Sequence, residues 1–139
     1  MGSVDRSKTP WLIVESHRPL YESELIPAEL QTIEHIRKNI ESLMYAFSVD
    51  LFLSGHYHAY FRSCAGLYNG KCNNGGTQYV TIGTGGANQY PEAVIVGGYT
   101  KILTRGFGYG LVTVNGRNSL TWDFIDIHGD KVDTFVIEK

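Results

Sequence analysis

The sequence predicts an α/β fold, a βαβ unit followed by an antiparallel β meander. Three observations carry this. Two apolar runs, Trp11-Leu12-Ile13-Val14 and Val49-Asp50-Leu51-Phe52-Leu53, are each followed within a few residues by a histidine. Both read as short strands of an α/β sheet. Between them lies a long stretch with apolar residues at helical spacing. Beyond residue 107 short alternating runs are separated by Asn115-Gly116 and His128-Gly129-Asp130, the punctuation of hairpins.

Taken in order, residues 1–9 form a polar lead-in without the apolar core of a signal peptide. Residues 10–16 are the first strand, and Pro19 breaks the structure just after His17. Residues 22–24 form a polar loop. Pro27 suits the first turn of a helix running to Phe47. Leu30, Ile33, Ile36 or Arg37, Ile40, Leu43, Met44 and Phe47 make its apolar stripe, and Glu34 and Lys38 pair one turn apart on the outside. His35 lies beside the stripe as a surface residue. The second strand ends at Gly55, which can turn where a side chain would clash.

Residues 62–76 are a loop rich in Gly, Asn and Ser that holds both cysteines, Cys64 and Cys72, around an Asn69-Gly70 turn. The spacing is compatible with a disulfide and equally with two free thiols. Tyr79 to Ile82 is a third strand, closed by the glycine-rich turn Gly83 to Asn88. That turn lacks the Gly-Lys-Ser/Thr of a P-loop. Residues 88–107 are irregular. Residues 110–115, 119–126 and 132–138 are the strands of the meander, with Trp122, Phe124 and Asp126 alternating with Thr121, Asp123 and Ile125. His128 sits in an exposed turn.

The 139 residues suffice for one domain with a core, divided here into residues 4–88 and a meander over 89–139. A formal net charge of −2 gives no reason to expect nucleic acid or an anionic membrane as partner. No apolar run reaches the length of a membrane span.

The chemistry lies at the carboxyl ends of the first two strands, where sites in open α/β sheets collect. If strand geometry persists past Gly55, His56 and His58 point to one side. Adjacent parallel strands would bring His17 to them, and neutral imidazoles converging on one point make a metal site. Arg18 divides evenly between a phosphate contact and a solvated charge or structural ion pair.

His17-Arg18-Pro19-Leu20-Tyr21 and Gly55-His56-Tyr57-His58-Ala59-Tyr60 resemble the last two metal-binding motifs of the purple acid phosphatases, a branch of the calcineurin-like metallophosphoesterases. Val4 to Trp11 resembles the lead-in to the first of these in plant-type members. The resemblance covers residues 4–139 and matches the carboxyl-terminal portion of such an enzyme. It implies the carboxyl-terminal half of an α/β/α sandwich and an acid phosphatase acting on phosphomonoesters. Its cofactors would be ferric iron, bound by His58, and a divalent Zn, Mn or Fe, bound by His17 and His56. Arg18, Tyr60 and Asn88 would lie near the substrate or behind the ligands. It also implies a paired Cys64–Cys72 and hence a secreted, extracellular or vacuolar setting.

Three departures limit what it carries over. The family's Gly-Asp-x-x-Tyr and Gly-Asn-His-Glu/Asp motifs, which supply the other ligands, do not occur here; Gly129-Asp130 is followed by Lys131-Val132-Asp133. Phe61 stands where the family has glutamate. Where many plant members carry a proton-donating histidine this chain reads Ser23-Glu24-Leu25-Ile26-Pro27, leaving Glu22 or Glu24 as substitutes. The expectation is an incomplete two-metal site, inactive by itself. Its partners would be phosphate esters and either a missing amino-terminal half or a second copy, because half a sandwich exposes strand edges and apolar faces. Two alternatives from other classes remain. One is a zinc module built on His56, His58, Cys64 and Cys72; the other is a non-catalytic fragment or interaction domain.

Overall fold

The computed structural model of the chain describes residues 2–22, 27–89 and 97–139. Glu24 and the rest of 23–26, with residues 90–96 of the irregular stretch, lie outside the described residues.

Strands β1 (Ile13–Ser16), β2 (Leu51–Ser54), β3 (Tyr60–Ser63), β4 (Gln78–Ile82) and β5 (Thr100–Thr104) form one mixed sheet in the order β1-β2-β4-β3-β5. β1, β2 and β4 are parallel, while β3 runs antiparallel to both of its neighbours. Helix α1 (Pro27–Ala46) connects β1 to β2. Strands β6 (Gly108–Val114), β7 (Ser119–Asp126) and β8 (Lys131–Glu138) form the meander as a separate antiparallel sheet. The βαβ unit and the meander are therefore as expected.

The layers follow from strand alternation. Phe52, Phe61 and Tyr79 point to α1, where they pack with Tyr21, Met44, Ile36 and Ile40. Their neighbours Leu51, Tyr60 and Val80 point the other way, onto Trp122 and Phe124 of the meander. β2 is covered on both faces, which is why Leu51-Phe52-Leu53 reads as an unbroken apolar run rather than an alternating one. The stripe on α1 is buried at Ile33 and Met44, whereas Leu43 and Phe47 at its end remain exposed. Glu34 and Lys38 form the expected pair at 2.9 Å.

Two expectations are corrected. Tyr60–Ser63 is a strand, so its last two residues, Arg62 and Ser63, do not belong to the loop expected over 62–76. Residues 100–104 are also a strand, within the stretch read as irregular. Neither had a signal of its own: each is four or five residues long and held by partners far away in sequence. The 89–139 part thus also supplies β5 to the first sheet. β1 is an edge strand, and Ile13 is 36% exposed.

The cysteine loop closes as a disulfide, Cys64–Cys72. Tyr68 and Lys71 exchange backbone hydrogen bonds of 3.1 and 3.0 Å around Asn69 and Gly70, both at positive φ, the geometry of the tightest hairpin turn. The Asn69 amide donates to Glu41 at 2.9 Å and the Gly70 amide to the Tyr21 hydroxyl at 2.9 Å, so the loop is tied to α1 and to the segment after β1. Reducing this bond is expected to lower unfolding stability by about 2–3 kcal/mol, the loop-closure entropy of so short a ring. Urea unfolding with and without reductant measures it, and coincident midpoints would refute it.

Candidate functional site

The register of β1 on β2 pairs Ser16 with Ser54 and so brings the two histidine-bearing ends level. The Gly55 amide donates to the His17 carbonyl at 3.1 Å, extending the pairing one residue past the strands. Strand geometry does not persist beyond this point. β2 ends at Ser54, and His56 adopts a φ of 66°. The inference that i and i+2 share a strand face therefore fails. A turn, not a pleat, aims the imidazoles.

This turn nevertheless brings His17 and His56 together. His17 Nε2 lies 3.1 Å from His56 Nδ1, with the rings edge to face. His58 is held separately: its Nδ1 is 2.5 Å from the Asn88 carbonyl oxygen. A carbonyl only accepts, so Nδ1 carries the proton of this contact. Asn88 thus acts through its backbone. Among the described residues, no group of three or more His, Cys, Asp or Glu side chains is gathered so as to hold a metal.

Arg18 lies beside α1. It forms an ion pair with Glu29 of α1, and its Nη1 lies 3.3 Å from His56 Nε2. Glu29 Oε2 is 3.3 Å from the same nitrogen. Burial first, then the Arg18 charge, hold the His56 imidazole below its ordinary pKa, with Glu29 pulling the other way. The hydrogen bond from Arg18 is the main reason that the Glu29 carboxyl sits below its usual range. Sequence reasoning weighed Glu22 and Glu24 but missed Glu29. The available signal was an acid in the first turn of the helix that follows the His17 loop.

Tyr60 is not at this cluster. It is fully buried between the sheets, donating its hydroxyl to Asp133 at 2.6 Å and accepting from Trp122 Nε1 at 3.0 Å. Glu22 is only 5% exposed. His35 and His128 are exposed, as expected. The disulfide engages both Cys64 and Cys72, so the zinc set of His56, His58 and two thiolates does not form.

The glycine-rich turn after β4 supports the histidines from below. The Gly83 amide donates to the Ala59 carbonyl at 3.1 Å, and a Cβ at Gly83 would stand 1.7 Å from the Tyr57 carbonyl oxygen. Only glycine fits there.

No family model matches the chain. Purple acid phosphatase 21 of Arabidopsis thaliana is 43% identical over 131 residues, covering 89% of this chain and 28% of that protein. An acid phosphatase of Aspergillus ficuum is 32% identical over 144 residues, 90% of this chain and 23% of that protein. Among solved structures, the purple acid phosphatase PPD1 from yellow lupin seeds superposes with a TM-score of 0.88 at 29% identity, over 99% of this chain and 26% of that one. The Plasmodium protein GAP50 shares the fold alone, at a TM-score of 0.61 and 16% identity. The chain therefore spans about a quarter of the length of the relatives it matches. In sequence and in fold it resembles the carboxyl-terminal portion of plant purple acid phosphatases.

Proposed function

We propose that this chain supplies the histidine side of a purple acid phosphatase site, whose parent reaction is hydrolysis of phosphomonoesters at mildly acidic pH. The observation that carries the reading is the approach of His17 Nε2 to His56 Nδ1 at 3.1 Å. Two nitrogens bound to one tetrahedral zinc at about 2.0–2.1 Å stand roughly 3.3 Å apart, so the pair fits a shared divalent cation. His58 is the ligand for ferric iron. When bound, the metals polarise the phosphoryl oxygens and offset the charge that develops on them.

The remaining roles belong to the chain. Gly83 and Asn88 fix the histidine turn, and Tyr60 joins the two sheets beneath it. Arg18 spends its charge on Glu29 rather than on a phosphate. Hydrolysis also needs a proton delivered to the leaving alkoxide, and the burial of Glu22 argues against it as the donor. The disulfide supports a secreted or vacuolar setting. Because the aspartate, tyrosine and asparagine motifs of the resemblance do not occur in this sequence, carboxylates from outside it would complete the site.

The chain alone is expected to take up at most one divalent cation and to show no turnover above the metal-only blank. Native mass spectrometry after exposure to iron with zinc or manganese, with an acid-phosphatase assay on the same sample, tests this. Two metals per chain with turnover that tracks metal content would show that the site completes itself.

A further inference from the structure

The cation reading requires His56 to present a lone pair at Nδ1, and a neutral imidazole chooses between two tautomers. Its other nitrogen, Nε2, has two competing neighbours. Glu29 Oε2 at 3.3 Å only accepts and favours a proton on Nε2. Arg18 Nη1, also at 3.3 Å, only donates and favours a lone pair there, which would put the proton on Nδ1 and close it to a cation. Glu29 and Arg18 are themselves ion-paired through the same oxygen and nitrogen. Arg18 Nη1 meets Glu29 and His56 at once, but a cation at Nδ1 requires the proton on Nε2, and the Glu29 carboxylate is then its acceptor. The Glu29 and His56 side chains are only 26% and 23% exposed, so water competes weakly for these contacts.

We propose that Glu29 is a positioning residue that holds His56 in the Nε2–H tautomer, so that Nδ1 and His17 Nε2 face one divalent cation together. The inference rests on the reading of His17 and His56 given under Proposed function and extends it to a residue in the first turn of α1. Carboxylates behind metal-bound imidazoles act in this way in general: they fix the ring and raise the basicity of the ligating nitrogen. Glu29 also connects the histidine pair to the helix, because its backbone is fixed by α1 rather than by the loop that carries Arg18.

The test uses the full chain as wild type, Glu29→Ala and Glu29→Gln, with zinc ion as the probe. Nitrogen-15 histidine NMR on the metal-free protein reads the His56 tautomer, and calorimetry reads zinc affinity. The Ala variant is expected to shift His56 toward the Nδ1–H form and to bind zinc about 10–100-fold more weakly. The Gln variant keeps a neutral acceptor and should fall between the two. An unchanged tautomer in both variants, or zinc affinity in the Ala variant equal to wild type, overturns the inference. If wild type and His56→Ala bind zinc alike, the cation reading itself falls, and the role of Glu29 toward a cation falls with it. In that case the tautomer shift still decides whether Glu29 orients the ring.

Discussion

Asp133→Ala is expected to destabilise the chain by about 3 kcal/mol, the lower end of the cost of leaving one member of a buried ion pair without its partner, because Arg62 and Asp133 are partly buried. Asp133 lies on β8, in the three-stranded sheet, and reaches across to β3 in the other. It accepts from Arg62 Nε at 2.6 Å, from Arg62 Nη2 at 2.8 Å and from the Tyr60 hydroxyl. Arg62 also lies over the Phe135 ring, 5.0 Å from its centroid. Removing the carboxylate strands a guanidinium and a phenol between two sheets that otherwise meet through apolar contacts. Burial pushes the Tyr60 hydroxyl far above its ordinary pKa, with Asp133 adding to the effect, so it stays a donor throughout the working range.

The pH dependence has a definite sign. Burial alone would raise the Asp133 carboxyl, but the hydrogen bonds from Arg62 and Tyr60 outweigh it and hold the group below the usual range. Its folded pKa is thus below its unfolded value of about 3.9. The stability it contributes is fully present above that value and is lost as pH falls through the folded pKa. Urea unfolding of wild type from pH 6 down to about pH 3 should therefore show a slope at the acid end that Asp133→Ala removes in part. Equal stability of the two proteins at pH 6 would refute the assignment.

Gly83→Ala is expected to cost about 3 kcal/mol, the upper end of overpacking, and to disturb the histidine turn specifically. The added Cβ would fall 1.7 Å from the Tyr57 carbonyl oxygen and 3.2 Å from the His58 Cα. These are backbone atoms, so no rotamer change relieves the overlap. Either β4 or the 55–59 turn must move. The imidazole resonances of His56 and His58 should shift while that of His35, exposed on α1, stays in place. Unchanged resonances at all three histidines, with an unchanged unfolding midpoint, would show that the turn yields without cost.

Much of the site was legible as sequence because its parts are local. His17 and His56 each stand just beyond a strand that apolar residues announce, and a helix of the right length between them makes the strands parallel neighbours. The Asn69-Gly70 turn inside the cysteine ring was legible for the same reason: its positive φ values are a property of those two residues. β3 and β5 were not, since their pairing depends on chain segments dozens of residues away. Nor could the sequence show that Tyr60, beside the histidine motif, belongs to the junction between sheets.

What the sequence determined by itself was the order of elements and the residue types at the strand ends, because hydrophobic periodicity and turn chemistry act over a few residues. What only the tertiary structure decided was orientation. The His56 turn replaces a pleat because its φ is positive. Arg18 turns to Glu29 because α1 packs beside β1. Each of these is a contact between segments, and contacts of that kind are set by packing rather than by any local preference.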